Sequence, residues 1–114
     1  MIKNNQNRFG LTERDMKTFQ TIFGKYSEVK EVYVFGSRAK GNYKPGSDID
    51  LAVMNDGADT KTIARLLSDF EESSLPIKVD LINFPVLKHN ELIEHIKRAG
   101  VVFYKLNESK NSLI

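Results

Sequence analysis

Two aspartates, Asp48 and Asp50, stand one residue apart at the head of the apolar run "DIDLAVM", and a third, Asp80, lies inside "KVDLI". If both runs are strands, residues two apart share a face. Ile49, Leu51 and Val53 then point one way, and Asp48, Asp50 and Ala52 the other. In the later run Val79 and Leu81 share a face, and Lys78, Asp80 and Ile82 share the opposite one. With the aliphatic faces buried, all three carboxylates emerge on the same side. Carboxylates gathered this way repel one another unless something neutralises them. A divalent cation does so: Mg²⁺ takes oxygen ligands and leaves room for phosphates. Two such ions about 3.5–4 Å apart clamp the attacking and leaving oxygens of a phosphoryl-type displacement.

The segment ahead of these acids is cationic. Gly36 and Ser37 follow directly on the run "VKEVYVF", and between Glu31 and Asp48 there is no acidic residue, while Arg38, Lys40 and Lys44 all fall there. A glycine lets backbone amides approach an anion closely, and the serine adds a hydroxyl donor. A triphosphate bridged to Mg²⁺ satisfies both the basic lip and the acidic floor. The stretch "GSRAKG" imitates the opening of a P-loop, but Asn42 and Tyr43 stand where that loop needs Lys and then Ser or Thr.

The elements that must position these groups are legible from periodicity. "LTERDMKTFQTIFGKY" predicts a helix capped by Thr12, with Asp15 closing a capping box and Leu11 against Met16 as a hydrophobic staple. Met16, Phe19, Ile22, Phe23 and Tyr26 form its apolar stripe. "VKEVYVF" and "DIDLAVM" predict strands joined by a loop, hence an antiparallel pair. Asp59 caps a helix to about Glu72 with Ile63, Leu66, Leu67 and Phe70 inward. "PIKVDLINF" predicts a third strand. A helix follows from about Pro85 to Ala99, stopping at Gly100, and "VVFYKL" predicts a last strand. The two strand-helix-strand units predict right-handed parallel crossovers wherever their strands are adjacent. His89 and His95, on the last helix, belong to no ligand set and read as structural.

The order α-β-β-α-β-α-β predicts an α+β (α/β-like) domain: a single mixed sheet of about four strands, with helices packed on one face. Residues 1–10 predict a flexible tail, 11–106 the domain, and 107–114 a polar tail. Tyr33, Phe35, Ala52 and Ile82 are then expected on the open side beside the acids, as an apolar rim for a partner.

At 114 residues the chain makes one ordinary domain. No apolar run approaches the roughly 18 residues of a membrane span, and the start "MIKNNQNRFG" is not a secretory signal. Cysteine is absent, which fits a reducing cytoplasm and excludes thiolate metal sites. A net charge of +2 is too small to argue for a nucleic-acid binder, so direct nucleic-acid binding is not expected, and neither is a membrane partner.

The compound pattern, Gly36-Ser37 followed by Asp48-Ile49-Asp50 within "FGSRAKGNYKPGSDIDLAV", resembles the signature of nucleotidyltransferases of the DNA polymerase β superfamily. The short chain and the acid in "KVDLI" look like the minimal (MNT-type) members, and the resemblance covers roughly residues 11–106. It implies the nucleotidyltransferase fold, with Gly36 and Ser37 on the triphosphate and Asp48 and Asp50 on Mg²⁺. Asp80 is the third carboxylate, completing the metal site and helping to deprotonate the attacking hydroxyl; Arg38 and Lys40 assist the phosphates. It further implies an antitoxin that transfers AMP from ATP to a tyrosine hydroxyl of a HEPN-domain toxin. The alternatives are a non-catalytic antitoxin acting by occlusion, or transfer to a small-molecule hydroxyl. Because larger members carry a further domain over the open face, a HEPN partner or a second copy of this chain is expected to complete the site.

Overall fold

The capping box appears as the sequence predicts. In the computed structural model, which describes residues 6–106, Thr12 Oγ1 accepts from the Asp15 amide at 3.0 Å and Asp15 Oδ2 accepts from the Thr12 amide at 3.0 Å. This satisfies two of the orphan donors at the start of helix α1 (Glu13–Gly24). Leu11 is fully buried and Met16 packs against the same core. The chain continues through β1 (Glu31–Phe35), a single helical turn α2 (Ser37–Lys40), β2 (Ile49–Val53), α3 (Thr60–Glu72) and β3 (Val79–Asn83). A 3₁₀ turn (Phe84–Val86), α4 (Asn90–Ala99) and β4 (Val101–Lys105) complete it.

The four strands form one sheet in the order β3-β2-β1-β4. β1 runs antiparallel to both β2 and β4, and β2 runs parallel to β3. The α+β class with a single mixed sheet is therefore as expected. The β2-α3-β3 unit is a parallel crossover between neighbours. The second unit is not: β4 lands on the far edge, beside β1, so α4 must traverse the sheet to reach it.

That traverse corrects the expected distribution of helices. One face carries the main core, where Phe19 and Phe23 of α1 and Phe70 of α3 meet Val32, Val34, Ile49, Leu51 and Val53. Each fully buried aliphatic or aromatic side chain there contributes about 1.5–3 kcal/mol. The second face is not bare. Ile96 of α4 is fully buried against Phe35 and Ala52, with Tyr33, Ile82, Phe84 and Leu92 packed around them. The apolar residues expected as an open partner rim are thus the seat of α4. Pro85 lies within the 3₁₀ turn that Phe84 begins, and α4 starts only at Asn90, where His89 Nδ1 accepts from the Leu92 amide at 3.1 Å.

Two further expectations change. Residues 6–10 are not a loose tail, because Phe9 is buried with its ring 5.9 Å from that of Phe103. In α3, Thr62 is buried while Leu67 is partly exposed. The β1–β4 pairing also slips between Val32 and Tyr33, so Phe103 is an extra residue in β4. This bulge turns both Phe103 and Tyr104 toward the aromatic rings of α1. The tail expected over 107–114, and residues 1–5, lie outside the described residues.

Candidate active site

The parallel β2–β3 register sets Asp50 directly beside Asp80, with Ile49 beside Val79 and Leu51 beside Leu81. Because both strands bury the alternate residues, Asp50 and Asp80 project on the same face, half-exposed. Asp48 is exposed just before β2. The mutual placement has an electrostatic signature: burial pushes the Asp50 carboxyl above the ordinary aspartate range, and the charges of Asp80 and Asp48 push it further the same way. These are oxygen donors of the kind a hard divalent cation takes. Among the described residues, no three such side chains are already closed around a common point.

Gly36 links this acidic floor to the turn above it. It has φ +76°, a backbone region that favours glycine, and it caps the N-terminus of α2. A Cβ at this position would lie 2.6 Å from Asp50 Oδ2. Two independent constraints therefore demand glycine, one from the backbone and one from the carboxylate pressed against it. Phe35, the residue before it, is the cross-strand partner of Asp50. Gly36 and Asp50 are consequently in contact. The first-turn amides of α2 have no partners within that helix.

Arg38 takes a different position from the one expected. Only 3% exposed, it turns inward. Its Nε and Nη2 donate to the Ser47 carbonyl at 3.2 and 2.9 Å, and its Nη1 donates to the Phe9 carbonyl at 2.7 Å. The Tyr43 ring covers the guanidinium, 4.6 Å from Cζ to centroid. An arginine so engaged is not available to a phosphate. An arginine beside a Gly-Ser pair reads as a phosphate ligand by type alone, and nothing in the local sequence shows that its acceptors are carbonyls. Lys40 and Lys44 are exposed and supply the basic lip. His95 meets Phe35 edge to face at 6.3 Å, so it joins the wall next to the acids through packing.

The acids occupy open ground. A cavity of about 610 Å³, bounded by Leu11, Arg14, Tyr43, Pro45 and Ile77, includes none of them. A groove of about 440 Å³ between α3 and the β3 edge reaches Asp80 alone. No helix among the described residues is long and apolar enough to cross a membrane.

Comparison with known proteins bears on this arrangement. The family described as polymerase beta, nucleotidyltransferase, matches residues 17–109. A protein of Haemophilus influenzae (strain ATCC 51907 / DSM 11121 / KW20 / Rd), named probable protein adenylyltransferase MntA, is 35% identical over 93 residues, 81% of each chain. A crystal structure of a toxin-antitoxin with AMP-PNP superposes with a TM-score of 0.66 at 20% identity, over 86% of this chain and 79% of that one. A structure of a tri-AMPylated Shewanella oneidensis HEPN toxin in complex with MNT antitoxin gives a TM-score of 0.59 at 19% identity, over 86% of this chain and 75% of that one. At such identities the two structures speak to the fold, and the fold is shared.

Proposed function

This chain belongs to the polymerase beta nucleotidyltransferase family, and from that premise we propose that it transfers AMP from ATP to a hydroxyl, a tyrosine's, on a HEPN-type toxin and so serves as its antitoxin. The observation that carries this reading is the in-register Asp50–Asp80 pair beside Asp48, with Gly36 packed on the Asp50 carboxylate. The acceptor and partner follow from similarity to the Haemophilus influenzae protein adenylyltransferase and from the fold shared with HEPN toxin–antitoxin complexes.

Asp48, Asp50 and Asp80 would hold Mg²⁺. When bound, the metal supplies charge neutralisation for the triphosphate and for the oxygens that attack and leave. The chain's own residues do the rest. The amides of the Gly36-Ser37 turn and the Ser37 hydroxyl hold the phosphates, as the missing Cβ at Gly36 permits. Lys40 and Lys44 add long-range attraction for the polyanion. The acceptor oxygen attacks the α-phosphorus in line, the bond to the β-phosphate bridging oxygen breaks, and pyrophosphate leaves. The acceptor proton passes to the carboxylate nearest the attacking oxygen, a role that falls to Asp80. Positioning and charge placement supply most of the acceleration.

An open site leaves the acceptor's far side to the partner, which both presents the hydroxyl and excludes water. The test uses ATP labelled at either the α- or the γ-phosphate, incubated with Mg²⁺ and the HEPN partner. Label from the α-position is expected on the partner and label from the γ-position is not. Transfer of the α-label that persists in Asp48→Ala would refute the site. Inhibition of the toxin without ATP, unchanged in Asp50→Ala, would favour occlusion.

A further inference from the structure

The chain between β1 and β2 holds both halves of the site, with Ser37 at its start and Asp48 at its end. The β1–β2 ladder brings the ends together as far as Phe35 opposite Asp50; beyond that pair the segment itself must hold Ser37 and Asp48 in place. Backbone bonds within the segment close only short turns, from Lys40 to Gly36, Gly41 to Ser37, and Ser47 to Lys44. The single side chain described as bridging start to end is Arg38: it follows Ser37 in the chain, and its Nε and Nη2 both grip the carbonyl of Ser47, the residue before Asp48. Its remaining bond, to the carbonyl of the buried Phe9, anchors the segment to the N-terminal strap. The strap is shaped to receive it. Asn7 Oδ1 accepts from the Phe9 and Leu11 amides, and Gly10, at φ +78°, has no Cβ where the Tyr43 ring lies, since one would fall 2.6 Å from it.

We propose that Arg38 is a positioning residue that sets the separation between the phosphate turn and the first metal acid. The inference rests on the nucleotidyltransferase reading above. Burying a guanidinium without an acidic partner is costly, and among the described residues no carboxylate lies at ion-pair distance from it. What the burial provides is a rigid planar fork, whose two donors fix one carbonyl in both distance and direction. A lysine keeps the charge and loses the fork.

The experiment compares Arg38→Lys with Asn55→Ala. Asn55 is likewise a backbone fastener, accepting from the Lys30 and Glu31 amides, but it lies just beyond the opposite end of β2 from Asp48. Two quantities are read at equal folded fraction: amide hydrogen exchange without metal at Gly41 and Ser47, whose amides donate to the Ser37 and Lys44 carbonyls, and KM for ATP in transfer to the partner. Losing one charge-assisted bond in a buried setting is expected to raise exchange and KM about tenfold or more in Arg38→Lys. Asn55→Ala, despite its lower stability, leaves both near the wild-type values. Tyr43→Leu, which keeps the fork and removes its cover, moves both in the same direction by less, and serves if Arg38→Lys does not fold. Equal effects in the Arg38 and Asn55 variants, or unchanged exchange at Gly41 and Ser47, would overturn the proposal. A wild-type protein without transferase activity would overturn the functional reading instead, and the exchange comparison would still judge the role of Arg38.

Discussion

Replacing Asp50 with Asn in metal-free protein should stabilise it while abolishing transfer. Asp50 and Asp80 are in-register neighbours on parallel strands, whose backbones run about 4.8 Å apart. Two unit charges at that distance repel by about 0.9 kcal/mol in water-like surroundings and about 3.5 kcal/mol at an effective dielectric of about 20. Both side chains are half-exposed, which places the cost at the lower end, about 1 kcal/mol. For a domain of this size that is a rise in Tm of about 4 °C. The pH dependence fixes the cause. The Asp50 carboxyl is raised by burial and by Asp80 and Asp48. Below the ordinary aspartate range it is protonated in both states and costs nothing; as pH rises through its raised folded value, wild type loses stability. Asp69, held low first by the Tyr26 hydroxyl, and Asp59 and Glu28, held low by bonds from Thr62, trend oppositely and gain stability as pH rises. They titrate alike in both proteins, so the difference curve reports Asp50 together with its repulsion from Asp80 and Asp48. Denaturation in EDTA from pH 3 to 8 is the assay. The advantage of Asp50→Asn should be absent at the acid end and complete near neutrality. Added Mg²⁺ should raise the wild-type Tm and close the gap by binding the native state. A variant no more stable than wild type at neutral pH, or an advantage independent of pH, would refute the electrostatic account.

Other outcomes follow from the same geometry. Gly36→Ala must accept both a strained φ and a methyl group against Asp50 Oδ2, so it should lose about 1–3 kcal/mol in chemical denaturation and eliminate detectable transfer. Thr12→Ala removes half of the capping box and should cost about 1 kcal/mol without altering KM for ATP. His89→Asp puts a better N-cap on α4 and should raise stability by about 0.5 kcal/mol, read as an upward shift in Tm.

Much of the site was legible because strand parity is a strict rule. Once "DIDLAV" and "KVDLI" were strands with buried aliphatic residues, Asp50 and Asp80 had to share a face, and they do. The Thr12 box and the Asp59 cap were equally local, each fixed by residues three apart. What could not be read were the partners of long-range contacts. Arg38 has carbonyl acceptors nine and 29 positions away, and carbonyls have no signature in sequence. The covering of the second face depended on β4 choosing the edge beside β1. The amphipathic pattern of α4 demands a seat without naming which face provides it. Pro85 suits the first turn of a helix, yet it sits in a separate 3₁₀ turn opened by Phe84, and the cap of α4 falls to His89.

The place where metal binds is the most direct test of the three acids' role. Crystals soaked in Mn²⁺ with a non-hydrolysable ATP analogue should show anomalous density between the carboxylates of Asp48, Asp50 and Asp80, with the phosphates against the Gly36-Ser37 turn. Density elsewhere, or a nucleotide-bound metal that leaves Asp80 outside its coordination, would contradict it.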